Sequence, residues 1–447
     1  MKITTSLVAI IIVVLACFLV DMDFKKWRGD EGVIENDVHG YYGYLPAYFI
    51  FDDLKVEKSD YRYSENGYWF WMKHYENGKI DFGKTYGLAL LYAPFFAVAH
   101  QCAIYFDYPV TGFSDPYKFF LLLSSLFYLF VGLFFIRKSL LALHFSESTV
   151  TITILLVGLA TNLFCYSTLS GPYSHVYNFC LTSIFVYSTI RWHEQKHWKY
   201  FLGLSLSFSL LSLIYLPNIV VALFFILYGV RNTNDLVKKK LPMGMIVMAV
   251  LTFFLVWLPQ WSYWKLVTDS IFGAPDPYEK YFFMNPVFFK GLFSFQKGWL
   301  VYTPVMAFSL IGIFMLRKSQ PQLLIAVVLF TLINLYVVFS WWNWWYGGSL
   351  GQRALIDSYA ILSIPLAAFV SFILNKSTLI KAVSLGIAVF MIWLNIFQTY
   401  QYNRGSLHYA AMTSELYFKQ FGKLEKVNSF DQLLKYPNDL EARKGIR

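Results

Sequence analysis

A short polar segment near the start of the chain carries side chains that could perform acid–base chemistry. Residues 35–42 read ENDVHGYY, which places Glu35, Asp37 and His39 close together. A carboxylate can act as the general base that takes a proton from an acceptor hydroxyl. An ordinary solvated loop carboxylate is the alternative, because acidic residues with perturbed pKa values are a minority. The segment is therefore a candidate site, with the ordinary loop kept as the alternative.

Three basic residues further along the chain could bind a phosphate group. Lys84 stands in a DFGKTY segment, where it could contact a phosphate as a point charge or anchor a helix among lipid headgroups. Arg353 ends the tryptophan- and glycine-rich segment 341–353, and a guanidinium can bind phosphate in bidentate fashion. A belt of interfacial tryptophans is the alternative for that segment. Lys297 lies near the end of the loop 273–298, which is long enough to cover a site.

The remaining polar candidates do not form a metal-binding pattern. His175 ends an SGPYSH turn and could hydrogen-bond a phosphate or sugar, or could belong to a turn with a capping polar pair. Asp276 and Glu279 share the loop that carries Lys297. His193 and His197 are four residues apart without a third ligand, and the four cysteines are dispersed. The residues thus indicate no certain cofactor and leave a divalent cation open.

The composition indicates a membrane protein. The 447 residues are 57% hydrophobic and 14% charged, and the mean hydropathy is +0.48. Soluble domains carry about a quarter charged residues, so this chain has too little polar material to cover a surface that faces water. The net charge of +10 is gathered in short basic clusters between apolar runs, which is the positive-inside pattern. We therefore expect no nucleic-acid partner.

The apolar runs predict about 11 transmembrane helices in an all-α polytopic protein, since a span needs about twenty apolar residues. With these spans, every basic cluster after the first span falls on the same side of the membrane as Lys2. The predicted spans are 5–20, 117–136, 149–167, 176–190, 200–215, 219–230, 243–264, 299–316, 322–340, 354–374 and 379–400.

Two further apolar runs are predicted to lie at the outer membrane face. The run 86–106 is long enough to cross, but a crossing there would invert every later loop, so we read it as a juxtamembrane helix. A second such helix is expected near 41–54. The first extracytoplasmic loop is then 21–116, within a transmembrane domain of residues 1–402. Residues 403–447 form a short extracytoplasmic C-terminal tail.

Four segments and the order of elements resemble a known family. A first span followed by a large outer loop, with an acidic residue and two interfacial helices, is similar to the GT-C glycosyltransferases. These include protein O-mannosyltransferases and the lipid A aminoarabinose transferase. The segments 37–47, 86–96, 174–177 and 341–353 resemble members of that group from Bacteroidetes. The resemblance covers most of the chain, from about residue 27 to 402.

The resemblance implies roles for individual residues. The catalytic base of the family is an aspartate in the first outer loop, a place that Asp37 occupies. Lys84 matches a basic residue that contacts the donor phosphate in some members, and Arg353 would be a further phosphate contact. The other candidate substrate-binding residues are His175, His39, Tyr41, Tyr42 and Lys297.

The function implied is a membrane glycosyltransferase, a mannosyltransferase among the family's examples. It would move a sugar from a polyprenyl-phosphate donor, such as undecaprenyl phosphate, to an extracytoplasmic acceptor hydroxyl with inversion. The expected partners are that donor, a protein, lipid or glycan acceptor, and membrane lipids. The expected location is the bacterial inner membrane, with a multi-pass chain and an extracytoplasmic active face. The alternatives are a polytopic transporter or lipid flippase, which would show repeats and mid-span polar residues, and a non-catalytic scaffold of envelope polysaccharide assembly.

Overall fold

The computed structural model describes residues 4–29, 32–56, 73–74, 80–238, 240–273 and 280–447. Lys2 and the loop residues Asp276 and Glu279 lie outside the described residues, as does part of the first outer loop.

The apolar runs fold into helices, and the first half of the chain packs around one of them. Helix α7 is buried along most of its length and contacts α5 and α8. The helices of this half are α1 Thr5–Phe24, α2 Asp37–Tyr42, α3 Tyr44–Phe49, α4 Gly87–Tyr105, α5 Asp115–Ala142, α6 Glu147–Leu159, α7 Ser174–Gln195, α8 Trp198–Ile214 and α9 Ala222–Leu227. A two-stranded antiparallel pair joins β1 Lys73–His74 to β2 Ile80–Asp81.

The second half continues the bundle and ends in the folded tail. Its helices are α10 Thr233–Lys238, α11 Met243–Thr268, α12 Phe288–Phe293, α13 Trp299–Tyr302, α14 Val305–Ser319, α15 Leu324–Ser340, α16 Tyr359–Leu374, α17 Thr378–Asn403, α18 Ser414–Gln420 and α19 Asp439–Ala442. Short 3₁₀ helices cover Cys165–Ser167, Leu216–Val221, Pro321–Leu323, Arg353–Ser358 and Asp431–Leu433. The protein is therefore an all-α polytopic membrane protein, as the composition predicts.

Each predicted span contains a helix, but not every one is long and apolar enough to cross a membrane. Among the described residues, seven helical stretches meet that condition. Six coincide with predicted spans and the seventh is α4. The other predicted spans hold helices that are shorter, as in α6 and α8, or more polar, as in α7. The prediction of about 11 spans treated each apolar run as a full crossing. In the structure, the runs 149–167 and 219–230 include 3₁₀ turns.

Helix α4 coincides with the predicted juxtamembrane helix 86–106. It packs mainly on α5, where the Tyr128 hydroxyl donates to the Leu91 carbonyl oxygen at 3.1 Å, and it also contacts α2, α3, α7 and α8. Nearer the start of α5, His100 Nδ1 lies 2.7 Å from the Tyr117 hydroxyl. The other predicted helix, 41–54, is replaced by α2 and α3, which begin earlier and end at Phe49. The position of these helices at the outer membrane face stays a prediction.

The tail folds back onto the segment that precedes Arg353. The Ser349 amide donates to the Tyr409 carbonyl oxygen at 3.1 Å, and Gln296 Nε2 donates to the Ala410 carbonyl oxygen at 3.1 Å. The first bond joins the tryptophan-rich segment to the tail, and the second joins the loop that carries Lys297 to the tail. The division of the chain into a transmembrane domain and an extracytoplasmic tail stays a prediction.

Candidate functional site

Asp37, Lys84 and Arg353 meet at one surface position. Lys84 Nζ lies 3.1 Å from Asp37 Oδ1, and Arg353 Nη2 lies 3.2 Å from Asp37 Oδ2, so each carboxylate oxygen faces its own cation. The Asp37 side chain is 35% exposed and that of Arg353 is 13% exposed. We call these three residues the Asp37 cluster. It joins one anion to two cations beside solvent, and both cations are of the types that bind phosphate.

The close approach of α2 to the turn that carries Lys84 depends on a glycine. A Cβ atom at Gly40 would lie 2.6 Å from the Phe82 carbonyl oxygen and 2.7 Å from Lys84 Cγ. Any larger residue would push the turn away from α2 and lengthen the distance between Lys84 and Asp37. From the other side, the Tyr44 hydroxyl donates to the Lys84 carbonyl oxygen at 2.6 Å. The position of Lys84 is thus fixed from two directions.

Arg353 is placed by the 3₁₀ helix Arg353–Ser358, which leads into α16. Its guanidinium carbon lies 5.4 Å from the centroid of the Tyr173 ring, which is within cation–π distance. The Tyr173 ring therefore supports the Arg353 side chain. Gly351 precedes it with φ 61°, a left-handed conformation that glycine adopts without strain. A Cβ atom there would lie 2.8 Å from the Tyr302 Cβ, so the glycine also permits close packing.

The two cations set the electrostatics of the cluster. Burial alone would raise the pKa of Asp37, but the charges of Lys84 and Arg353 outweigh it and hold that pKa well below its usual range. His175 is near enough to act in the same direction. Tyr41 lies one helical turn from Asp37, with Lys84 Nζ 5.8 Å from its ring centroid. Burial raises the pKa of Tyr41, which therefore stays a neutral donor.

A second carboxylate, that of Asp357, belongs to a neighbouring cluster and was missed by the sequence reasoning. Asp357 is buried and accepts hydrogen bonds from His175 Nδ1 at 3.0 Å, Asn178 Nδ2 at 2.8 Å and Asn218 Nδ2 at 2.9 Å. We call these four residues the Asp357 cluster. The available signal was an ionisable residue inside the predicted span 354–374, which by itself suggests a functional position. Asp357 also shares its 3₁₀ helix with Arg353.

The structure brings together five of the eight predicted site residues, namely Asp37, Lys84, Arg353, Tyr41 and His175. The other three are buried against protein. The Tyr42 hydroxyl donates to the Gly112 carbonyl oxygen at 2.5 Å. His39 is buried in α2, and burial lowers its pKa to about 4. Substrate binding by these two residues stays a prediction.

Lys297 is the third of these buried residues. Its Nζ donates to the carbonyl oxygens of Ser349 and Tyr409, and burial lowers its pKa well below the usual range. The ammonium group therefore links the tryptophan-rich segment to the tail. This geometry favours a positioning role for Lys297, and its role in substrate binding stays a prediction.

The donor set of the site does not fit a divalent cation. Within the described parts of the chain, no group of three or more His, Cys, Asp or Glu side chains could hold a metal ion. Both oxygens of Asp37 face cationic side chains instead. We assign no chemical step to a metal.

Comparisons with known proteins identify the fold. No protein-family model and no curated protein sequence matches the chain. The apo oligosaccharyltransferase of Archaeoglobus fulgidus is similar in structure, with a TM-score of 0.53 and 13% identity over 97% of this chain and 60% of that one. The same enzyme in complex with Zn and sulfate gives a TM-score of 0.53 and 13% identity over 98% and 58%. Oligosaccharyltransferase AglB from that organism, in complex with an inhibitory peptide and a dolichol-phosphate, gives 0.50 and 12% over 96% and 61%.

These likenesses show a GT-C-like fold. The chain spans about three fifths of the length of the oligosaccharyltransferases that it matches. At 12–13% identity the comparison concerns the fold alone. The predicted resemblance to the GT-C group is confirmed at that level.

Proposed function

We propose that the chain is a membrane glycosyltransferase that moves a sugar from a polyprenyl-phosphate donor to an acceptor hydroxyl. The observation that carries this proposal is the Asp37 cluster, in which a partly exposed carboxylate lies between two cations on a membrane bundle. The GT-C-like fold supports the proposal, because the similar structures are oligosaccharyltransferases, one of them in complex with a dolichol-phosphate. Fold likeness alone does not fix chemistry, so the residues of the site carry the argument.

The proposed reaction is a single displacement at the anomeric carbon. Asp37 takes the proton of the acceptor hydroxyl while the hydroxyl oxygen forms a bond to the anomeric carbon. The bond between that carbon and the phosphate oxygen breaks, and its electron pair stays on the lipid phosphate. Lys84 and Arg353 stabilise the negative charge that develops there. Attack from the face opposite the phosphate inverts the anomeric configuration.

The ion pairs of the free site suggest how the donor prepares the base. With both cations at Asp37, its pKa is held low and the carboxylate is a weak base. A phosphate that draws Lys84 and Arg353 toward itself weakens both ion pairs. The pKa of Asp37 then rises, and the carboxylate becomes a better base when the donor is in place. Donor binding would therefore precede proton transfer.

The finer assignments belong to this proposal as well. The donor would carry its phosphate at the extracytoplasmic face of the inner membrane, beside Asp37 of α2 and Lys84 of the turn before α4. Protein, lipid and glycan acceptors remain open. A relationship to the O-mannosyltransferases or to the lipid A aminoarabinose transferase in particular stays a prediction.

The test is donor turnover by purified protein in lipid nanodiscs. Sugar release from radiolabelled polyprenyl-phosphate sugars is measured for the wild type, Asp37→Asn and Glu35→Gln. Glu35 is the matched control, because it lies two residues away and forms no ion pair with any residue that the structure describes. We expect Asp37→Asn to lower turnover by roughly 100- to 10,000-fold and Glu35→Gln to retain it.

The other outcomes separate the alternatives. Equal turnover in Asp37→Asn and the wild type would remove Asp37 from the mechanism. A wild type that turns over no donor would favour a transporter, a lipid flippase or a scaffold.

A further inference from the structure

Asp357 is buried, and three nitrogen atoms hold its carboxyl group. It is 5% exposed, and its three partners approach with donor groups, one on Oδ1 and two on Oδ2. The two amide nitrogens can only donate, and His175 Nδ1 donates in one of the two tautomers of the ring. A buried carboxylate is tolerated only when it is hydrogen-bonded in this way.

The Asp357 carboxylate fixes which nitrogen of His175 carries a proton. Nδ1 lies 3.0 Å from Asp357 Oδ1, and a carboxylate at this position selects the tautomer in which Nδ1–H donates. The Tyr166 ring meets the imidazole edge-on, with centroids 5.1 Å apart, and limits its rotation. Nε2 is on the far side of the ring and makes no hydrogen bond to the described part of the chain. His175 is also close enough to Asp37 for its charge to lower the pKa of that carboxyl.

We propose that Asp357 is a positioning residue that holds His175 so that Nε2 faces the phosphate bound by Lys84 and Arg353. This inference rests on the proposed function. An Nε2–H of His175 would donate to a phosphate oxygen, and that bond would be charge-assisted because the phosphate is ionised. The ligand is the phosphate of a polyprenyl phosphate, and His175 is a third donor to it.

Because three nitrogen atoms face the Asp357 carboxyl group, we expect Asp357→Asn to disturb the Asp357 cluster. An asparagine would turn an NH₂ group either toward His175 Nδ1 or toward the amides of Asn178 and Asn218. One donor would then face another donor, and the fixed tautomer of His175 would be lost. Asp357→Asn is therefore a nearly isosteric variant that removes the positioning without removing the histidine.

The experiment measures the equilibrium binding of polyprenyl phosphate to nanodisc-embedded protein and the ¹⁵N resonances of its histidines. The binding series is the wild type, His175→Gln, Asp357→Asn and the double variant. Each single variant should weaken binding about tenfold or more, as expected for a lost hydrogen bond to a charged group. The double variant should bind no more weakly than His175→Gln, because Asp357 acts through His175. The His175 resonances are assigned by their absence in His175→Gln.

The ¹⁵N spectrum of the wild type tests the inference without any variant, so it still applies if a variant fails to fold. We expect protonated Nδ1 in the free protein and a shift of the Nε2 resonance when polyprenyl phosphate is added. Two results would overturn this inference alone. One is a loss of affinity in the double variant equal to the sum of the two single losses, and the other is a His175 Nε2 resonance that does not shift when polyprenyl phosphate binds. A wild type that binds no polyprenyl phosphate would overturn the proposed function and this inference together.

Discussion

Asp37 and Asp357 lie in neighbouring clusters but are held in opposite ways. Asp37 is about one third exposed and is paired with two cations from distant parts of the chain. Asp357 is buried and is held by one imidazole and two amides. Arg353 and Asp357 begin and nearly end the same 3₁₀ helix, so one short element serves both clusters.

The difference separates a site that can exchange partners from one that cannot. Partly exposed ion pairs are weak, because water and other ions compete for them, so a phosphate can take the cations from Asp37. When a partner is removed from a buried network, the remaining donors lose their acceptor and water cannot replace it. We infer that the Asp37 cluster provides binding and chemistry, whereas the Asp357 cluster provides fixed geometry.

The largest expected effect comes from a charge in the Asp37 cluster. Arg353→Met should lower donor turnover by about 100- to 1,000-fold, as when one donor to a developing negative charge is removed. Methionine keeps an aliphatic stem of similar length, so the unfolding temperature should change little. Arg353→Lys is the control, because it keeps the charge without the planar fork and should lose less. If Arg353→Met unfolded at a lower temperature while its folded fraction turned over donor at the wild-type rate, Arg353 would be a structural residue. That result would contradict the division between the two clusters.

A smaller effect, on stability, is expected in the Asp357 cluster. Asp357→Ala leaves two buried donors and one half-buried donor without an acceptor and should lower the free energy of unfolding by about 3 kcal/mol. Asp37→Ala should have a much smaller effect, because its partners can turn to water. Thermal unfolding of both variants in the same detergent measures the difference. Equal losses of stability would contradict the division between the two clusters.

As the pH falls, protonation of His39 in α2 should lower the stability before protonation of Asp37 does. The pKa of His39 is lowered by burial to about 4, against about 6.5 in an unfolded chain. The unfolded chain binds the extra proton more readily, so stability falls as pH drops through this window. Between about pH 7.5 and pH 5 the loss should be about 2 kcal/mol. The lowered pKa of Asp37 gives it no part in this window, because its contribution is lost only below the usual carboxyl range.

The pH effect is measured as the unfolding temperature of the wild type and His39→Gln across that range. The wild type should lose stability toward pH 5, and the variant should be nearly flat. Parallel curves would show that His39 is not the titrating group.

The smallest expected effect tests the approach of Lys84 to Asp37. Gly40→Ala should cost about 1 to 2 kcal/mol of stability, since its Cβ would meet the Phe82 carbonyl oxygen. Turnover should fall as well, because the turn that carries Lys84 must move. Gly386→Ala in α17 is the matched control, since no atom lies near its Cβ position, and it should be neutral or stabilising. A Gly40→Ala protein with normal turnover would mean that the Lys84–Asp37 distance is not critical.

The sequence alone was sufficient for the class of fold and for the chemical identity of the Asp37 cluster. Long apolar runs with few charges must become membrane helices, because the unpaired backbone of other structures is too costly in lipid. Asp37, Lys84 and Arg353 were also recognisable as polar residues next to such runs. Their contact was not predictable from spacing, since Asp37 and Arg353 are separated by 316 positions and meet through packing.

Only the tertiary structure decided which candidates lie together and which are enclosed by other parts of the chain. His39, Tyr42 and Lys297 look like site residues by type, yet each is enclosed by protein, because the direction of a side chain depends on the elements packed around it. Asp357 shows the reverse, since an acidic residue in an apolar run gives no sign of its three partners. Two of those partners come from α7 and the third from the 3₁₀ helix Leu216–Val221, and only the folded bundle brings their donors to one carboxylate.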